Sequence, residues 1–129
     1  LSDDISKNIA LLEENHFEVS ATLAQDLEAT LSSLQESQLA LVVKELTTNT
    51  LRHSKGSEVS LEIAYQEDSI TLRYHDCGDT TSPQQLVEGN GLTGIRERAD
   101  SIGAKVHFQH TPNVAFSCEL TLPYQLNRA

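Results

Sequence analysis

Apolar residues recur along this chain with two distinct periods. From about Ile5 to Glu14 they keep helical spacing, whereas Phe17, Val19, Ala21 and Leu23 alternate with polar neighbours as a strand does. After a polar stretch, Leu39, Val42, Leu46 and Thr50 return to steps of three and four. That predicts a long helix from about Gln35 to Ser54, stopped by Lys55 and Gly56. Val59, Leu61, Ile63 and Tyr65 alternate, as do Ile70, Leu72 and Tyr74, with a hairpin turn at 66–69 between them. A loop is expected from about Cys77 to Asn90. Leu92, Ile95, Ala99 and Ile102 mark another helix, with Gly103 as its stop. Val106 and Phe108 are expected to pair with Phe116, Cys118, Leu120 and Leu122 around a turn at 110–113. The pattern reads as a single mixed α/β domain over residues 1–129, without repeats or linkers.

Composition narrows what such a domain does. The chain has 129 residues, 38% of them hydrophobic, which is enough for one real core. Nineteen acids against nine Lys and Arg give a formal charge of −10. Nucleic acid and anionic membranes both need a broad basic face, so neither is an expected partner. An anionic ligand would have to be held locally, by backbone N–H groups, a metal ion and a few well-placed cations. Cys77 and Cys118 are sparse and lack metal-ligand spacing, which reads as free intracellular thiols. The apolar runs are far too short to span a bilayer, and the start has no signal-peptide pattern, so a soluble piece is expected. Its opening residues, Leu1 to Asp4, read as a cut within a longer chain.

Three places carry candidate chemistry. In Lys44–Ser54, a turn of about 100° per residue puts Glu45, Asn49 and Arg52 within about a 60° arc beside the apolar stripe. A carboxylate to order water, an amide oxygen for a hard cation and a guanidinium for phosphate oxygens would suit a metal–phosphate. The same residues would equally serve as the solvated side of an amphipathic helix. Asp76 continues the phase of Ile70, Leu72 and Tyr74, so it points to the core side unless the strand ends at His75 and Asp76 opens a turn. Gly89-Asn-Gly-Leu-Thr-Gly94 spells G-x-G-x-x-G but follows a polar loop. That leaves either a glycine hinge running into a helix N-terminus or a loop that simply needs glycine to turn.

Taken together, in this order, the three places resemble the ATP-binding catalytic domain of bacterial two-component sensor histidine kinases. That domain belongs to the wider ATPase superfamily shared with gyrase, the Hsp90 chaperones and the MutL repair proteins. Lys44–Ser54 matches the N box, Asp76-Cys-Gly78 the first glycine box and Gly89–Arg98 the second. Asn-Thr-Leu-Arg-His-Ser, followed by Gly-Leu-Thr-Gly-Ile-Arg-Glu-Arg-Ala, is similar to the subfamily of nitrate, hexose-phosphate and membrane-fluidity sensors. The resemblance runs from about Ile5 to Pro123. It implies an α/β (α+β) two-layer sandwich: a mixed, mainly antiparallel sheet with helices on one face. It also implies ATP and Mg²⁺ as ligands.

By position, the resemblance makes Asn49 the Mg²⁺ ligand and Glu45 the catalytic residue, which would order the metal's water or assist the reaction. Arg52 and His53 would lie against the phosphates. Asp76 would receive the adenine amino group, with Gly78 letting the base approach the backbone. Gly89 and Gly91 would be hinges over the triphosphate, and Leu92, Thr93 and Gly94 would offer N–H groups. The chain departs from the family at Thr80, where a second glycine is usual, and at Ala115 and Phe116, where the last strand usually starts with Gly-Thr.

The resemblance further implies transfer of the γ-phosphoryl to a histidine on a separate dimerisation domain, for relay to a response regulator. None of the five histidines fits that acceptor. His53 and His75 adjoin the implied nucleotide site, His107 and His110 fall on a late strand or its end, and His16 sits at a strand start. The domain is expected to be the cytoplasmic part of an inner-membrane sensor, with no direct membrane contact. Two alternatives remain: a stand-alone serine kinase acting on an anti-sigma antagonist, and a degenerate module that keeps the fold without ATP.

Overall fold

The first helix, α1 (Ser2–Glu14), forms because Ile5 and Leu12, two turns apart, share a face and are both buried. The computed structural model describes residues 1–79, 92–111 and 115–123, of which 53–56, 78–79 and 111 by backbone alone. The helix ends with Phe17 N–H donating to Leu12 O and His16 N–H to Glu13 O, the paired bonds of a Schellman stop. His16 takes the left-handed position there, at φ 72°. Strand β1 (Glu18–Leu23) follows, then a single turn, α2 (Leu27–Thr30).

The long helix α3 (Ser33–His53) is started by Ser32. Its hydroxyl accepts from Gln35 N–H at 3.1 Å, while Gln35 Oε1 accepts from Ser32 N–H at 2.8 Å, a reciprocal capping box. Strands β2 (Ser54–Tyr65) and β3 (Ser69–Asp79) make the hairpin expected from their alternation. Helix α4 (Leu92–Ser101) stops where Ala104 N–H reaches Ala99 O and Gly103 N–H reaches Asp100 O. Gly103 holds φ +72° with open space where a Cβ would stand. Strands β4 (Lys105–Thr111) and β5 (Ala115–Pro123) close the chain's described part.

The sheet has five strands in the order β1-β2-β3-β5-β4, antiparallel throughout except for the parallel β1–β2 pair. Val59, Leu61 and Ile63 on β2, Leu72 and Tyr74 on β3, and Cys118 and Leu120 on β5 turn one face inward. Leu39, Val42 and Leu46 of α3 and Ile95 and Ala99 of α4 cover that face, in one continuous core. On the opposite face Arg73 donates to Glu119 at 2.9 Å and Glu62 at 3.2 Å, in register across three strands. This is the two-layer sandwich with helices on one face.

Several local expectations need correction. Lys55 and Gly56 do not end α3 in a loop, because β2 starts at Ser54 directly after His53, with a register shift between Ser54 and Glu58. The bulge absorbs the change of direction that a turn would otherwise make. Strand β3 runs on through Asp76 to Asp79 rather than giving way to a loop at Cys77, because β2 and β5 both pair with it at Cys77 and β2 pairs again at Asp79. The polar stretch hides α2, whose Leu27 is buried with nearby Leu31; one turn is too short to show a period. Ala21 of β1 is exposed although it alternates with apolar neighbours, since β1 is an edge strand.

Candidate functional site between α3, α4 and β3

The spacing of Glu45 and Asn49, four residues apart, stacks them one turn above the other on α3. Both carry a buried polar atom with no hydrogen-bond partner among the described residues: Glu45 Oε2 and Asn49 Nδ2. Turning the Asn49 amide over would bring its oxygen to the same place. Arg52 follows on the same arc and is exposed at the last turn, and His53 ends the helix, known here by its backbone only.

Helix α4 packs against this face of α3. Arg98 Nε donates to Glu45 Oε1 at 3.2 Å, and Arg98 Nη1 donates to Gln38 Oε1 at 3.4 Å. Both members of the ion pair are partly screened from water, at 32% and 26% exposure. Gly94 supplies the close approach: a Cβ there would lie 2.9 Å from Glu45 Oε1 and 3.1 Å from Oε2. Sequence expected Gly94 as an N–H donor at the helix start. It is the third residue of α4, and its small size also makes room for the Glu45 carboxylate. Leu92 is buried and Thr93 exposed in the same first turn, where N–H groups lack partners within the helix.

The floor is β3. Thr50 Oγ1 and Tyr74 OH lie 2.6 Å apart in the interior, fixing the end of α3 over the strand two residues before Asp76. Asp76 is 2% exposed, so the core-facing phase is the observed one and the turn alternative falls away. Burial pushes the Tyr74 phenol well above its ordinary value; the Thr50 hydrogen bond opposes this, and the Asp76 charge adds to it. In register, Asp76 lies between Val59 of β2 and Phe116 of β5. Phe116 is buried and its ring stacks on Phe108, with centroids 6.2 Å apart, so the departure at this position is packed against β4. Gly78 lies on β3, described by backbone; Thr80, Gly89 and Gly91 lie outside the described residues.

The structure thus brings Glu45 and Gly94 together where α3 meets α4, with Asn49 one turn further along α3. Asp76 is buried on β3, two residues beyond the Tyr74 that α3 holds through Thr50. Sequence reasoning missed Arg98 and Gln38. The one available signal was that Gln38 and Glu45, seven apart, share a face of α3, and that Arg98 stands one turn beyond Gly94. Among the described residues, no group of three or more His, Cys, Asp and Glu side chains could hold a metal unaided. A cation at this corner would need ligand oxygens from a bound phosphate, which suits Mg²⁺, an ion that keeps few protein ligands. No described helix is long and apolar enough to cross a membrane.

Comparison with known proteins gives the family and supports the fold. Relatives include the sensor protein VraS of Staphylococcus saprophyticus, 37% identical over 89 residues, covering 68% of this chain and 26% of that protein. VraS of Staphylococcus haemolyticus is 37% identical over 94 residues, covering 72% and 26%. The chain therefore spans about a quarter of the length of these relatives. Among solved structures, the fold is similar to the histidine kinase domain of the Erythrobacter litoralis EL346 blue-light activated histidine kinase. There the TM-score is 0.75 at 17% identity, over 93% of this chain and 57% of that one. Full-length ShkA in complex with AMPPNP gives 0.74 at 13% identity, over 98% and 30%. Residues 34–126 match the family described as histidine kinase-, DNA gyrase B- and HSP90-like ATPases, and the chain belongs to that family.

Proposed function

We propose that this domain binds Mg-ATP and presents its γ-phosphate to a histidine on a separate dimerisation domain of a two-component sensor kinase, for relay to a response regulator. The observation that carries the reading is a pair of buried polar atoms on successive turns of α3, Glu45 Oε2 and Asn49 Nδ2, without partners among the described residues. Leaving two such groups without partners is costly in a folded protein. Glu45 Oε2 would accept from a water of a hydrated cation, and the Asn49 amide, turned over, would offer its oxygen to that cation. Asn49 would hold Mg²⁺, and Glu45 would order its water. Arg52 and His53 would lie against phosphate oxygens, and the first-turn N–H groups of Leu92, Thr93 and Gly94 would add donors. Gly89 and Gly91 would flank the triphosphate. Asp76, with Gly78 beside it, would receive the adenine amine. The bound cation would supply charge neutralisation for an in-line displacement, and the protein's part is positioning. The single domain of residues 1–129 would thus be the cytoplasmic ATP-binding part of an inner-membrane sensor.

Calorimetric titration of the chain with ATP and ADP, with and without Mg²⁺, tests this. Weak binding strengthened by Mg²⁺ is expected. At about 100 times Kd a ligand adds roughly 2.7 kcal/mol of stability, so thermal melting reads the same event. Asn49→Ala should abolish the Mg²⁺ dependence while leaving the melting of the free chain intact. Neither heat nor a thermal shift at millimolar nucleotide would sink the proposal and favour the degenerate module.

A further inference from the structure

Arg98 closes the second glycine box and has no role in the proposed function, yet it grips the acid that function depends on. Its Nε donates to Glu45 Oε1 at 3.2 Å, and its Nη1 is braced on Gln38, so the guanidinium is anchored twice on α3. A planar fork held at two points has little freedom to turn. One turn earlier on α4, Gly94 comes so close that a Cβ there would lie 2.9 Å from the same carboxylate oxygen. The carboxylate is therefore wedged between Gly94 and Arg98, with Oε1 engaged and Oε2 buried without a partner among the described residues. A plain helix-to-helix clamp has no need to keep one oxygen buried and partnerless.

Charge points the same way. A bare Glu45 carboxylate beside a polyphosphate would repel it, in a chain already carrying −10. The guanidinium neutralises that acid and leaves its second oxygen available as an acceptor. We propose that Arg98 is a positioning residue for the nucleotide site, acting through Glu45 Oε1 to orient Oε2 toward a water of the bound cation. This rests on the Mg-ATP reading above.

The test is calorimetric titration of ATP into the chain with and without Mg²⁺, read as the ratio of the two affinities. Variants are Arg98→Gln, Arg98→Lys, Glu45→Gln, the Arg98→Gln/Glu45→Gln double variant, and Gly94→Ala, which displaces the carboxylate without removing charge. Arg98→Gln should lower the ratio about fivefold, the weight of one hydrogen bond, with affinity in the absence of Mg²⁺ little changed. The double variant should be no worse than Glu45→Gln alone. Arg98→Lys should recover part of the ratio, and Gly94→Ala should lower it. Equal losses with and without Mg²⁺ would make Arg98 a helix clamp and overturn the inference. Additive losses in the double variant would mean that Arg98 acts independently of Glu45, and would overturn it too. An unaltered chain that binds ATP with Mg²⁺ dependence, beside an Arg98→Gln chain identical to it, overturns this inference alone. Absence of ATP binding in the unaltered chain removes the proposed function and this inference with it.

Discussion

The hydroxyls of Thr50 and Tyr74 meet at 2.6 Å in the protein interior, joining the helix that carries Glu45 and Asn49 to the strand that carries Asp76. Both residues are nearly fully buried, at 2% and 1% exposure. Water cannot replace a lost partner there.

Tyr74→Phe should therefore destabilise the chain by about 1–3 kcal/mol, because it leaves the Thr50 hydroxyl without that bond. Adding Thr50→Val should restore part of the loss, since the pair is then replaced by apolar groups. Urea denaturation of the single and double variants measures both. Full additivity would show that the two hydroxyls do not depend on each other.

Alkaline pH should unfold the protein earlier than its acid content suggests. Burial pushes the Cys118 thiol up to about 12 from 9.0, with the Glu119 charge adding and Arg96 opposing. Between those values the unfolded chain has released its proton and the folded chain has not. The unfolded state then binds fewer protons, so stability falls as pH rises above about 9, by at most about 1.4 kcal/mol per pH unit for this group. Tyr74 adds a second loss above its ordinary value of 10.0. Denaturation midpoints from pH 8 to 10.5 should show the decline, and Cys118→Val should flatten its onset. A thiol reagent should label exposed Cys77 at once and Cys118 only on unfolding.

Asp76→Asn keeps the size and one acceptor oxygen but removes the charge. Hydrogen bonds to charged groups contribute about 1.5–3 kcal/mol, so adenine nucleotide affinity should fall on the order of tenfold or more. Guanine presents a carbonyl where adenine presents its amine, so ATP should bind the unaltered chain far better than GTP. Competition titration decides this. Equal affinity for ATP and GTP would remove Asp76 from base recognition.

His16→Gly should stabilise the fold. His16 closes α1 at φ 72°, a conformation that a side chain disfavours by roughly 1–2 kcal/mol and glycine adopts freely. Glycine's larger unfolded-state entropy offsets part of this, leaving a gain of about 0.5–1 kcal/mol. A rise in the melting temperature is the measurement. A fall would mean that the His16 ring makes contacts worth more than the backbone strain.

Sequence alone determined what depends on neighbours within a few residues. The spacing of Glu45 and Asn49 set them on one helix face, the phase of Ile70, Leu72 and Tyr74 carried Asp76 to the inner face, and Gly103 marked the end of α4. These follow from local backbone geometry, which turns a residue's position in the chain into a direction. What tertiary structure decided lies between distant segments. Nothing in the strand patterns ranks β5 between β3 and β4, or makes β1 the parallel edge. The passage from α3 into β2 without a loop depended on a bulge that β3 accommodates by pairing. Arg98 and Glu45 are 53 residues apart in the chain, and only the packing of α4 against α3, through the missing side chain of Gly94, brings them within 3.2 Å. Periodicity tells which way a residue points; what it meets there is decided when whole helices and strands bury their apolar faces together.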